Sequence, residues 1–370
     1  MKCWRCPLLL FAAACAHDHN LPLCEPELAD APTGYTDFDS PLPRHFREGG
    51  FATVAFVDRA NSTNPVTNAG AHLGRVLFYD VRLSANDSVA CSSCHRQSMG
   101  FGDTSRTSTG IHGRTGSRKP LPLANARFSS YGRYFWDERA ASLEKQVLVP
   151  VIDTLEMGMR ESDVAAKLSA TSYYPALFAA AFGSPEITND RISKALAQFI
   201  RSLVSAQSRF DAVFATGGAP DWNSLTESER VGQQLFIKSG CANCHRTVAQ
   251  IADQPTNNGL DVVAADTGAG KGRFKPGSLR NVAIRPPYMH DGRFASLDDV
   301  VDFYSHGVAN SPDIDRRLLG PDSLPRRLNF SSQQRRALVA FLESLTDSSF
   351  LHDPRFANPF QQVKEKPCRN

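Results

Sequence analysis

The chain has 370 residues, room for two domains of ordinary size, each with its own core. A formal charge of +3, from 41 basic and 38 acidic side chains, excludes a nucleic-acid or other polyanion-binding role as the governing one. Beyond the N-terminus no apolar run reaches the ~18 residues a membrane-spanning helix needs.

Residues 1–14 read as an export signal, with Lys2 and Arg5 ahead of the short apolar run Leu8 to Ala14. Ala12-Ala13-Ala14-Cys15 resembles a lipobox, so two outcomes stay open: a lipid anchor on Cys15, or simple cleavage to a soluble chain. Residues 15–50 are rich in Pro, Asp and Gly and read as an irregular lead-in. Leu73 to Tyr79 reads as a helix, and Cys91-Ser92-Ser93-Cys94-His95 follows. Cys-x-x-Cys-His is the attachment signature of c-type haem. Two thiols one helical turn apart add to the porphyrin vinyl groups, and the next residue aims an imidazole at the iron. A zinc site or a redox-active dithiol also uses paired cysteines, but no finger-like second ligand pair follows.

The second copy, Cys241-Ala242-Asn243-Cys244-His245, lies 150 positions on, again after a short helix and a glycine (Gly232 to Phe236). This internal repeat predicts two cytochrome-c-like domains, each with one covalent haem, over 51–215 and 216–350. A tail follows over 351–370. Strand patterns are scarce, and helical apolar spacing runs over Asp190 to Phe214, Thr226 to Lys238 and Ser331 to Leu345. Ser224 or Thr226 and Ser331 are the expected N-caps, and the fold class is mainly α. Of nine cysteines, Cys3 and Cys6 leave with the signal and four hold haem. In an oxidising compartment Cys24 and Cys368 can pair and tie the termini together; the alternative is two free thiols on the tails.

Between and after the haem motifs stand Tyr134-Phe135-Trp136-Asp137-Glu138-Arg139-Ala140, Gln146, Glu156-Met157-Gly158, Leu279-Arg280-Asn281-Val282 and Pro287-Tyr288-Met289-His290-Asp291-Gly292. In this order they closely resemble the bacterial diheme cytochrome c peroxidase and MauG family, from about Ala71 to Leu345. The resemblance implies a periplasmic enzyme whose N-terminal haem meets hydrogen peroxide and whose C-terminal haem handles electron transfer. Glu156 matches the distal-pocket acid and Gln146 the distal amide; a carboxylate beside the iron can take a proton from one peroxide oxygen and return it to the other. Trp136 matches the tryptophan that relays electrons between the haems. Asp137 and Arg139 are expected to form a local ion pair or to meet a haem carboxylate. His112, in Gly110-Ile111-His112-Gly113, falls where classical members keep a histidine that caps the first iron. At the second iron, Tyr304 stands at the distal-ligand position, where MauG-type members use tyrosine and classical peroxidases methionine. Met289 is a nearby competitor.

In the family a calcium ion between the domains is held by an asparagine and by backbone carbonyls. Here Lys119 stands at the asparagine position and Arg285 where threonine is usual, and two cations disfavour a third, although carbonyls could still bind it. His290, Arg280 and Arg293 are expected at the second haem's carboxylates or at the domain junction. Three readings follow. The first is a peroxidase taking electrons from a small cytochrome or cupredoxin. The second is a MauG-like enzyme using peroxide to oxidise a Trp or Tyr of a partner protein, and the third is a non-catalytic diheme cytochrome. Glu156, Gln146 and Trp136 oppose the third.

Overall fold

The computed structural model describes residues 27–48, 54, 58, 63–129, 131–217, 219–251 and 254–360. The residues expected to form an export signal, and Cys15, Cys24 and Cys368, lie outside them. The main helices are α1 (Asn68–Tyr79), α2 (Leu143–Ile152), α3 (Glu161–Ser169), α4 (Tyr174–Phe182), α5 (Asn189–Ser202), α6 (Glu227–Lys238), α7 (Leu297–Asp302) and α8 (Ser332–Glu343). Among the described residues β pairing is confined to isolated bridges. The fold is mainly α, and no helix among those residues is long and apolar enough to cross a membrane.

Two helix crossings, built alike, organise the chain. α1 packs on α5 through Gly74, where an added Cβ would overlap the Ala195 carbonyl oxygen and press on Phe199. α6 packs on α8 through Gly232, where a Cβ would overlap the Ala337 carbonyl and press on Phe341. One turn after each glycine a phenylalanine meets that same partner ring: Phe78 with Phe199 and Phe236 with Phe341, both at 5.2 Å between centroids. The Gly-x-x-x-Phe echo is therefore a packing device, because only glycine lets the backbones approach this closely. Around these crossings lie two hydrophobic clusters, one built on Leu73, Leu77, Phe78, Leu196 and Phe199, the other on Phe236, Leu297, Leu338 and Phe341.

Helix ends follow their sequence signals. Thr226 caps α6, its hydroxyl accepting from Glu229 N while Glu229 accepts from Thr226 N; Ser331 and Gln334 do the same for α8. The expected helix over Asp190 to Phe214 is instead broken after Ser202. Ser205 N donates to Asn125 Oδ1, while Ala206 N and Gln207 N donate to Asp347 Oδ2. Side chains distant in sequence thus give these amides partners that a helix would otherwise supply.

The segment expected as a tail is not one, at least to Phe360. Phe350, Leu351 and Phe356 are buried in the first cluster, far from α8 in role though next to it in sequence. Tyr79 Oη donates to Phe356 O, Arg75 Nε to Ala357 O and Gln97 Nε2 to Asp353 O, so the chain end straps back over the first unit. The apolar residues of this strap are too few to show a period in sequence.

Gly232→Ala should destabilise the protein by about 1–3 kcal/mol in denaturant unfolding, the usual range for overpacking. Gly116→Ala, where a Cβ meets nothing within 4 Å, should be near neutral.

Candidate functional site

The two Cys-x-x-Cys-His motifs each open on a cavity. One of about 500 Å³ is lined by Cys91, Cys94 and His95, the other of about 260 Å³ by Cys241, Cys244 and His245. None of these four cysteines is in a disulfide. Burial pushes the Cys91 thiol up to about 12 and Cys241 to about 11, with Cys94 also raised. A reactive dithiol needs an accessible thiol of lowered pKa, so this environment does not fit one. Among the described residues no group of three or more His, Cys, Asp or Glu could hold a metal ion.

Burial disfavours the charged form of both histidines. Burial lowers His95, and takes His245 to about 4. His95 Nδ1 lies 3.1 Å from Phe101 O. A carbonyl only accepts, so Nδ1 carries the proton and the Nε2 lone pair is left for an iron. The Gln250 backbone faces the buried His245 imidazole in the same manner as Phe101 O faces His95. Paired thiols, a neutral imidazole and an apolar-lined cavity beside each fit a covalent haem at both motifs.

On the far wall of the first cavity, α2 presents Leu143, Gln146, Val147 and Pro150, one helical stripe. Ser142 caps this helix, its hydroxyl accepting from Lys145 N. Glu156 sits in the turn that follows. Glu156 N and Gly158 N both donate to Asp153 O, at 3.0 and 2.8 Å, and Ile111 N donates to Glu156 O at 2.8 Å. Two glycines permit this packing: a Cβ on Gly110 would overlap Leu155 O, and Gly158, at φ +66°, faces the Ile111 side chain. That is the physical content of the Glu-Met-Gly motif. Burial, reinforced by Asp153, raises the Glu156 pKa above the ordinary carboxyl value.

The structure does not bring His112 to this site. Ile111 turns inward, whereas His112, at φ +58°, is exposed and lines neither cavity. In this conformation it cannot cap the first iron.

Trp136 lines both cavities. Its Nε1 donates to Lys119 O at 2.6 Å, and its ring meets Phe274 and His290 edge-on, each 6.4 Å away. Phe274 and His290 are themselves stacked at 3.7 Å. Asp137 pairs with Arg118 at 2.7 Å and with Arg139 at 2.9 Å. Lys119 is buried and donates through Nζ to Asp103 O and Ser105 O, at 2.6 and 3.0 Å, and its burial lowers its pKa to about 8. Arg285, taken down to about 10 by burial, donates to Ser278 O. At the place expected for calcium, ammonium and guanidinium groups thus already bond backbone carbonyls.

Tyr304 reaches the second cavity from a single π turn, Phe303–Gly307, that continues α7. Burial raises its hydroxyl to about 12. Asn258 Nδ2 donates to Tyr304 Oη at 3.2 Å and lies 3.7 Å from Met289 Sδ, so both candidate ligands share one amide. Asn258 belongs to no motif and was not legible in sequence. His290 lines this cavity, as expected. Arg280 and Arg293 do not: Arg280 is fully buried against Asp211 and Ser208, and Arg293 is held by Asp261 and Asp291. Arg280 therefore serves the junction between the clusters, and Arg293 a loop.

The sequence profile of di-haem cytochrome c peroxidase matches residues 68–218. The methylamine utilization protein MauG of Methylorubrum extorquens is 35% identical over 296 residues, 76% of this chain and 79% of that one. The chain belongs to the diheme cytochrome c peroxidase and MauG family. The cytochrome c551 peroxidase of Nitrosomonas europaea is 32% identical, over 75% of this chain and 79% of its own. A crystal structure of a MauG-like protein associated with microbial copper homeostasis superposes with a TM-score of 0.71 at 32% identity, covering 82% of this chain and 96% of the other. Membership in this family brings two c-type haems and haem-dependent peroxidase chemistry.

Tyr304→Phe should change only one of the two ferric signals in low-temperature electron paramagnetic resonance, with both haems still attached. Unchanged spectra would remove Tyr304 from the second iron.

Proposed function

We propose that the protein is a periplasmic diheme oxidoreductase that reduces hydrogen peroxide at the first cavity and exchanges electrons through the second. The supporting observation is the unequal lining of the two cavities. The first holds the carboxyl of Glu156 with the amide of Gln146, whereas among the described residues no carboxylate lines the second. When bound, each haem supplies an iron that exchanges electrons with whatever lies against it.

The chain's own residues move the protons. Reducing peroxide to two waters takes two electrons and two protons, and heterolysis needs a proton carried from one peroxide oxygen to the other. Glu156 can hold that proton because its pKa is raised by an apolar setting, which brings it closer to neutral pH than an exposed glutamate. Gln146, with both a donor and an acceptor, orients the peroxide from the α2 stripe. Trp136 touches both cavities and is the direct protein bridge for electrons between them.

A small cytochrome or cupredoxin is one source of the electrons. The second reading, a MauG-like enzyme that draws them from a Trp or Tyr of a partner protein, is favoured by two placements. Tyr304 offers a hard oxygen donor at the second cavity, and His112 stands away from the first.

Glu156→Gln should keep both haems and lose about 10²-fold or more in peroxide turnover. In the native protein turnover should fall as pH drops through the raised Glu156 pKa, because the base is lost by protonation; in the variant that acid limb should be absent. Peroxide titration with and without one-electron reduction separates the electron sources. Reaction of the fully oxidised protein supports the protein-oxidising reading, and a need for prior reduction the peroxidase. Inertness in every redox state would end both.

A further inference from the structure

One group of buried ionisable side chains lies outside the chemistry described so far. Asp80 closes α1, and its carboxylate, 1% exposed, accepts from the hydroxyls of Tyr173 and Tyr174 on Oδ2, at 2.7 and 2.8 Å. Its other oxygen accepts from Arg82 N at 2.8 Å and faces the Arg82 guanidinium at 3.4 Å. Tyr174 opens α4 and is fully buried, its ring against Tyr173 and Phe178. Phe78 lines the first cavity, and Asp80 follows it by two residues, so at most about 8 Å separates their Cα atoms.

A tyrosine gives up an electron readily only when its proton leaves at the same time, because the oxidised phenol is a strong acid. A partner able to take that proton therefore marks an oxidisable tyrosine. The hydroxyls of Tyr35, Tyr79 and Tyr288 donate to backbone carbonyls, which are too weakly basic. Tyr174 donates to a carboxylate, which can be protonated. Burial, reinforced by the charge of Asp80, holds the Tyr174 hydroxyl well above its ordinary value, so the proton stays until an electron is removed. Its transfer then turns a buried carboxylate into a neutral carboxyl, a change that a dry setting favours. Arg82, 26% exposed, keeps contact with water as the charge on Asp80 disappears.

The two tyrosines are not equivalent. The Arg82 guanidinium lies over the Tyr173 ring, 5.8 Å from its centroid, and donates to Tyr173 Oη at 3.0 Å. A cation there opposes loss of an electron from that ring. Tyr174 is the better donor of the pair.

We propose that Tyr174 is a one-electron donor to the haem of the first unit, with Asp80 as its base. The inference rests on the reading of the first cavity as the peroxide site, since peroxide supplies the oxidising equivalent. One electron passes from Tyr174 to the oxidised haem, which is reduced by one equivalent. The phenolic O–H bond breaks and a new O–H bond forms on Asp80. The neutral radical is left inside the first hydrophobic cluster, away from water. An oxidising equivalent thus has a place to rest when no external electron arrives.

The test mixes oxidised holoprotein with hydrogen peroxide in the absence of an electron donor, then freezes it rapidly for electron paramagnetic resonance. An organic radical signal should appear, and it should narrow in protein grown on ring-deuterated tyrosine. Its formation should slow in protein exchanged into heavy water. Tyr174→Phe removes one hydroxyl and leaves Asp80 bonded to Tyr173 and Arg82; it should lose most of the signal with both haems attached. Asp80→Asn, which can still accept the hydroxyl but takes no proton, should lower the yield. Tyr79→Phe is the control and should change nothing. A second arm needs no peroxide: a photogenerated ruthenium(III) polypyridyl complex oxidises the holoprotein, and the Tyr174-dependent signal should form again.

A tyrosine signal of equal size in Tyr174→Phe, or none in the native protein in either arm, would overturn the donor site. An undiminished signal in Asp80→Asn would overturn Asp80 as the base. If peroxide leaves both haem spectra unchanged while the ruthenium arm yields the Tyr174 signal, the peroxide reading fails and the donor site stands.

Discussion

The two cavities share a wall, and Lys119 holds that wall together. Its backbone carbonyl accepts from Trp136 Nε1, its backbone N–H donates to His290 O at 2.7 Å, and its ammonium donates to Asp103 O and Ser105 O. One residue therefore ties the loop after the first haem motif, the tryptophan between the cavities and the Tyr-Met-His-Asp-Gly turn of the second unit. A buried ammonium is unfavourable unless its protons are bonded, and here backbone carbonyls accept two of them. The indole is fixed in turn: stacked Phe274 and His290 bound it on one side, and its N–H has a single acceptor.

How much of this the sequence disclosed depends on the range of the physics involved. Haem attachment was fully legible because covalent chemistry fixes the spacing of Cys91, Cys94 and His95, and of Cys241, Cys244 and His245, within one turn. Gln146 and Tyr304 were reached through the family resemblance, and each lies on a helical stripe that lines a cavity: Leu143, Gln146, Val147 and Pro150 in one case, Leu297, Val300, Val301 and Tyr304 in the other. Glu156 depends on a turn whose glycines are visible in sequence, although the partner of Gly158, Ile111, is not.

What stayed hidden is what depends on contacts between distant segments. The break after Ser202 exists because Asn125 and Asp347 supply partners for backbone amides, and nothing local announces it. The strap over Phe350 and Phe356 reads as a tail until the first cluster is seen to need those rings. Asn258 holds Tyr304 from 46 positions away. His112 was misplaced for a related reason: its neighbour Ile111 takes the inward position, a choice between adjacent residues that a short Gly-bounded segment does not encode.

The two units also show where their chemistry diverges. Their scaffolds match closely: a glycine crossing, a phenylalanine pair at the same separation, then paired thiols and an imidazole. Burial disfavours the charged form of both motif histidines, so the scaffold and its imidazoles are alike in the two units. The division must come from the opposite walls. In the first unit a helix ends in a tight glycine turn that delivers a carboxyl into an apolar setting. In the second a helix widens into a π turn, whose Ser305 carbonyl accepts instead from Leu328 and Asn329, and the widened turn carries a phenol. A carboxyl can pass a proton back and forth but is a poor place to rest an iron in a fixed state; a phenol held by an amide suits a centre meant to stay ligated while electrons pass. The same scaffold thus carries a carboxyl on one cavity wall and a phenol on the other, and the difference lies in how one helix in each unit ends.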